Sequence, residues 1–198
     1  MAEYGEDFLT GGTATTSDDI YGDAFKASNG CDDNTATLYM TGLNKAEDQW
    51  WKYDLGAGIT KTANRIRICI FNDSNASIKE WNLYGSNNDS EYAEITSGSE
   101  ANVADNAWVQ HDFENTEAYR YFKIIMHYNY PPGSWRPDAF RGFREIELRE
   151  DISAPTEITE NIKPNKKSYT GYNCFIQQYI KNKFNNTLPY KLPDGTLW

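Results

Sequence analysis

An antiparallel β-sandwich is the fold class that the sequence predicts, and three observations predict it. Short apolar runs recur between turn-forming clusters from residue 50 to 150. Within them, apolar and polar residues alternate with a period of two, the signature of a strand with one buried face. The apolar content is also concentrated in large rings, 6 Trp and 14 Tyr in a chain of 198 residues, so burial rests on few, bulky side chains.

The predicted strands are 50–55, 65–71, 78–84, 108–113, 119–128 and 143–148. In the first, alternation sends Trp51, Tyr53 and Leu55 inward and Trp50, Lys52 and Asp54 outward. In the second, Ile66, Ile68 and Ile70 share one face and Arg65, Arg67 and Cys69 the other. Trp81, Leu83 and Tyr84 are expected inside in the third. The intervening Gly56-Ala57-Gly58, Asn72-Asp73-Ser74-Asn75 and Gly85-Ser86-Asn87-Asn88-Asp89 are turn formers. Strands this short at this spacing belong to a sandwich of antiparallel sheets.

The character changes after Glu150. Ile152-Ser153-Ala154-Pro155 reads as a linker, and Pro164-Asn165-Lys166-Lys167 as a basic patch after an acidic domain. Phe175, Ile176, Tyr179, Ile180 and Phe184 recur at helical spacing, which predicts one short amphipathic helix. Residues 1–150 are therefore expected to form the sandwich, and 151–198 a linker and C-terminal docking segment. A lone short helix is unstable in water, so the segment packs either on the sandwich or on another chain; both readings stand.

A net charge of −10 disfavours a nucleic-acid partner, because phosphate binding needs a cationic stripe. No run reaches the length of a membrane span; Ile124-Ile125-Met126 is only strand-sized. The opening Met1-Ala2-Glu3 carries no secretory signal, which leaves another export route, a replaced start, or a particle protein released by lysis. Cys31, Cys69 and Cys174 have no paired spacing and are read as free thiols. Asn-x-Ser/Thr triplets begin at Asn72, Asn75, Asn88 and Asn185; in so Asn- and Ser-rich a chain they are read as accidental.

Four segments stand in a recognisable order: Ala24-Phe25-Lys26-Ala27-Ser28-Asn29-Gly30, Trp50-Trp51-Lys52-Tyr53-Asp54-Leu55-Gly56, Lys79-Glu80-Trp81-Asn82-Leu83-Tyr84-Gly85-Ser86-Asn87, and Gly142-Phe143-Arg144-Glu145-Ile146-Glu147-Leu148. Together they resemble the discoidin domain, or coagulation-factor C-type domain, and its bacterial relatives the family 32 carbohydrate-binding modules. The resemblance covers about residues 20–150 and implies an all-β jelly roll of the galactose-binding type.

It also implies a structural calcium between the first loop and the last strand. The matching positions are the Ala27 carbonyl, Asn29, Asp32, Thr35 or Thr37, and Glu145. Calcium takes six to eight oxygens, and the loop of Asp32, Asp33, Asn34 and Thr35 offers them densely. Asn29 stands where the family usually has Asp, and Cys31 alters the loop. Read without the family, Asp32-Asp33-Asn34 is a solvated turn.

Members of the family bind ligands on loops at one end of the sandwich. The matching candidate here is the run from His127 to Asp138, with three prolines and a glycine to stiffen it. Trp135 offers a flat ring to a sugar face. His127, Asn129 and Arg136 offer directional hydrogen bonds, with Tyr128 and Tyr130 beside them and 73–77 as a neighbouring rim. Packing of Trp135 and Tyr130 onto the sandwich is the competing reading.

Catalysis is not expected. His111 and His127 have no nucleophile at recognisable spacing, and Glu145 and Glu147 have no supporting constellation. The expectation is a non-catalytic adhesion module that binds a surface glycan, extracellular or on a virion. The alternative is a structural or decorating protein of a particle, docked to a protein partner through 151–198 and its terminal Trp198. Membrane insertion is not expected, and lipid-headgroup binding is disfavoured by the acidic charge.

Overall fold

Alternating strands need a second layer to cover their apolar face, and here two layers supply it to each other. A computed structural model describes residues 2–17, 23–41, 48–71, 78–100, 103–127 and 141–153. All fall within the unit Met1–Pro155. The predicted linker from 154, the helix and docking segment, and the loop 128–140 lie outside the described residues.

The strands are β1 (Thr13–Thr16), β2 (Tyr39–Met40), β3 (Gln49–Asp54), β4 (Arg65–Cys69), β5 (Glu80–Ser86), β6 (Ala93–Ser99), β7 (Trp108–Asp112), β8 (Tyr121–Met126), β9 (Gly142–Phe143) and β10 (Glu145–Arg149). They form a five-stranded sheet ordered β1-β3-β8-β5-β6, a three-stranded sheet β10-β4-β7, and the pair β2-β9. Every pairing is antiparallel. Helix among the described residues is limited to short 3₁₀ turns at Asp23–Phe25 and Ala27–Cys31. None of it is long and apolar enough to cross a membrane.

The core is built by the predicted alternation. Trp51, Tyr53 and Leu55, Ile66, Ile68 and Ile70, and Trp81 and Leu83 are buried, and Phe122, Ile124 and Met126 of β8 complete the same core. Trp81 lies flat against β6 because residue 98 is glycine; a Cβ there would meet the indole ring. Gly30 serves Phe143 in the same way, since a Cβ would stand 2.5 Å from its ring. The predicted turn at Gly56-Ala57-Gly58 is present, with φ of 100° at Gly56 and 79° at Gly58, values that glycine adopts without strain.

Several expectations are corrected. Gly85 and Ser86 continue β5 rather than starting the turn, and the left-handed residue is Asp89, at φ 59°. Tyr84 faces outward, with its hydroxyl 3.5 Å from Glu94 Oε2. Cys69 is fully buried although it lies on the outer side of β4, and its thiol reaches Asn106 Oδ1 at 3.4 Å. Strands β1, β2 and β6 were not anticipated. In β6 a bulge places Ile95 between the partners of Leu83 and Tyr84, which breaks the period-two signal.

The N-terminal stretch is part of the sandwich. Gly5 N–H bonds the Glu150 carbonyl, Phe8 N–H that of Leu148, and Ile152 N–H that of Glu3. Cys31 and Cys69 are both free thiols, as read from the sequence; Cys174 lies outside the described residues.

Candidate functional site

The first loop is folded by its own polar side chains. Asp32 accepts hydrogen bonds from the Asn34 N–H at 3.1 Å and from the Thr37 hydroxyl at 2.9 and 3.0 Å, an Asx turn that curls the chain back on itself. Both amide hydrogens of the buried Asn29 go to the carbonyls of Ala24 and Leu38, so the atom of that side chain left for a cation is Oδ1. The Trp51 indole N–H donates 2.8 Å to the Ala27 carbonyl and pins the loop to the core.

Glu145 opens β10 directly beneath this loop. It is 2% exposed, its Oε2 accepts a long 3.4 Å bond from Asn34 N–H, and its Oε1 is buried without a hydrogen-bond partner. Burial pushes its pKa up to about 8, with Asp32 and Asp33 adding repulsion. A buried acceptor with no partner costs about 1–3 kcal/mol. A cation at Oε1 would remove that cost. Asp7, missed by the sequence reading, lies nearby; burial raises its pKa to about 6, although it accepts the N–H groups of Leu148 and Leu9.

The structure sets Glu145 against the Asp32–Asn34 stretch of the loop, and the 3₁₀ turn Ala27–Cys31 that carries Ala27 and Asn29 packs against β10. It separates the two threonine candidates. The Thr37 hydroxyl is on Asp32, whereas the Thr35 carbonyl accepts from Arg144 at 3.1 Å. Among the described residues, no three His, Cys, Asp or Glu side chains form a metal centre. The expected set relies instead on two carboxylates with carbonyl, amide and hydroxyl oxygens. Those donors suit calcium rather than a transition metal.

The second candidate region lies at the end where β8 stops. Register sets Gln49 and Trp81 on either side of Met126, so the segments 42–47, 72–77 and 128–140 all attach at the same end of the five-stranded sheet. Of the predicted ligand set, Tyr128, Asn129, Tyr130, Trp135 and Arg136 lie outside the described residues, as does the rim 73–77. His127 is described and tightly held. Its Nδ1 is 2.8 Å from Asp48 Oδ2, its Nε2 contacts Asn82 Oδ1, and its carbonyl accepts from Arg141 Nε at 3.1 Å. His127 is thus held in one orientation where β8 ends, with both ring nitrogens engaged.

The other histidine is internal to the fold. His111 Nε2 lies 2.5 Å from Glu100 Oε1, which also accepts the Trp81 indole N–H at 3.1 Å, and the His111 ring stands edge-on to Trp81. That is the satisfied sheet histidine expected from its alternation with Val109 and Phe113. Glu147 is likewise accounted for, between Arg67 and Arg149.

Comparison with known proteins converges on one family. The model of the F5/8 type C domain matches residues 12–136. No curated protein sequence matches. Among solved structures, the chain is similar to the family 32 module of Clostridium perfringens NanJ in complex with galactose, at 18% identity and TM-score 0.59 over 75% of this chain and 100% of that one. It is similar to chitosan-binding module 1 of a Paenibacillus sp. IK-5 chitosanase/glucanase, at 18% identity and TM-score 0.55 over 73% and 98%. An F5/8 type C domain from Bacteroides fragilis gives 16% identity and TM-score 0.58 over 76% and 97%. At these identities the likeness establishes the fold.

Proposed function

Since the chain belongs to the F5/8 type C domain family, we propose that it is a non-catalytic carbohydrate-binding module that takes a surface glycan on the loops at the His127 end of the sandwich. The observation that carries the reading is the match over residues 12–136 together with neighbours named for galactose and chitosan. Local geometry supports it. His127 is held by Asp48 and Asn82 where β8 ends, and a loop anchored at its start loses less entropy on binding. In this reading Trp135 lies against a sugar face, while Arg136, Asn129, Tyr128 and Tyr130 bond its hydroxyls.

A structural calcium belongs to the same proposal. The Ala27 carbonyl, Asn29 Oδ1, Asp32, Thr37 and Glu145 would hold it, with Thr35 less suited beside Arg144. When bound, the ion would neutralise the buried Glu145 carboxylate and tie the first loop to β10. The lone Glu145 Oε1 supports this assignment.

The test is an array of neutral and amino sugars probed with the full chain and with Trp135→Ala, each with calcium and with chelator. Binding by the wild type and its loss in the variant are expected. A folded wild type that binds no sugar on the array would overturn the reading.

A further inference from the structure

The outward face of the five-stranded sheet carries an arrangement that neither the loops nor the calcium site uses. Trp50 and Lys52 of β3, Tyr84 of β5, and Tyr121 and Lys123 of β8 occupy alternate, half-buried positions on three adjacent strands. Register sets Lys52 directly opposite Lys123, and Lys123 opposite Tyr84 on its other side. Like charges opposed across strands repel.

Only part of that repulsion is compensated. The Asp89 carboxylate oxygens lie 2.8 and 2.7 Å from Lys52 Nζ. Asp54, the next carboxylate in the row, is held by both arms of Arg120 at 2.7 and 2.8 Å. Lys123 Nζ has a ring instead of a carboxylate, 3.5 Å from the centroid of Tyr92. The Tyr92 hydroxyl donates to Asp89, which fixes the ring under the ammonium group. Lys52 Nζ lies 5.6 and 5.8 Å from the Trp50 and Tyr121 rings. Two ammonium groups thus share one carboxylate among partly covered aromatic rings, in a protein of net charge −10. Burial and the neighbouring Lys52 also lower the pKa of Lys123, the mark of a cation short of counter-charge.

We propose that this face binds an acidic polysaccharide. A uronate carboxylate would complete the Lys52 and Lys123 charges, and sugar C–H faces would lie on the rings of Trp50 and Tyr84. A protein partner fits less well. The exposed large hydrophobic residues among the described ones are Ile59, Trp108 and Ile152, none on this face, whereas a protein interface needs an apolar, desolvated centre. The site goes beyond the loop-borne reading and does not require it.

The experiment is affinity electrophoresis of the full chain through gels containing polygalacturonate or neutral galactan, with melting temperature as the folding control. Polygalacturonate should retard the wild type, less so at high salt. Lys123→Met should weaken that retardation about tenfold, as for loss of one charge-assisted contact, while leaving galactan binding unchanged. Lys123→Arg should preserve it, and so should Trp135→Ala, which separates this face from the loops. A folded wild type that ignores polygalacturonate overturns the proposal, whether or not it binds galactan or captures a protein. Retardation equal in wild type and Lys123→Met overturns it as well.

Discussion

Asn34 and Glu145, 111 residues apart in sequence, meet at 3.4 Å through the Asn34 N–H and Glu145 Oε2, and the second carboxylate oxygen is buried without a hydrogen-bond partner. The contact joins the first loop to the last strand while leaving a buried acceptor open. Much of what can be tested in this protein follows from that incomplete pairing.

Calcium should stabilise the chain through this site. At about 100 times its Kd, a ligand that binds only the folded state adds about 2.7 kcal/mol. For a domain near this size that raises the melting temperature by about 5–10 °C. Scanning calorimetry with calcium and with chelator measures it, and Glu145→Gln should abolish most of the difference. Identical melting in both conditions would remove calcium from the account.

Stability should also depend on pH in a specific direction. The folded pKa of Glu145 is raised from 4.5 to about 8 and that of Asp7 from 3.8 to about 6. A carboxyl whose folded pKa is raised binds its proton more tightly in the folded state, so folding weakens as pH rises through the interval. The calcium-free protein should therefore lose stability from about pH 4 to pH 8. Glu145→Gln should flatten the part above pH 6, where Asp7 no longer titrates. Urea midpoints across that range, in chelator, would read this out, and a rising curve would contradict it.

Glu100 is a buried carboxylate shared by Trp81 and His111. Removing such an acceptor costs about 1–3 kcal/mol, because the buried Trp81 N–H is left unpaired. Glu100→Ala should lower stability by about that amount, while Glu94→Ala, exposed on β6, should stay within about 0.5 kcal/mol. Equal effects in urea denaturation would show that the Glu100 cluster contributes nothing special.

His127→Ala tests the rim. Loss of two partly exposed hydrogen bonds should cost about 1–2 kcal/mol of stability. Loss of the side chain that anchors the start of the proposed glycan-binding loop should cost about tenfold in glycan affinity. Unchanged titrations with the glycan selected on the array would confine His127 to a structural role.

The predicted strands with large side chains on one face all appear, because alternation and bulk are local properties that survive in any packing. What escaped was local chemistry too weak to signal. β1 is Thr-Ala-Thr-Thr, β2 is two residues long, and β6 is polar and interrupted by the Ile95 bulge. Such segments become strands only because a neighbour satisfies their backbone groups. The calcium candidates were legible through the ordered segments that resemble the family; the choice between Thr37 and Thr35 was not, since it depends on where Arg144 reaches.

By itself, the sequence determined the sandwich class, the inward residues of β3 and β4, and the glycine turn at 56–58, each set by alternation, bulk or backbone freedom within a few residues. Only the tertiary structure decided that Asp7 lies beneath Leu148, that Glu145 is buried with one oxygen unmatched, and that Lys52 faces Lys123. Those relationships join residues tens to more than a hundred positions apart, and the choice of strand neighbours, which no single strand's pattern encodes, sets which charges meet and how far water is excluded from them.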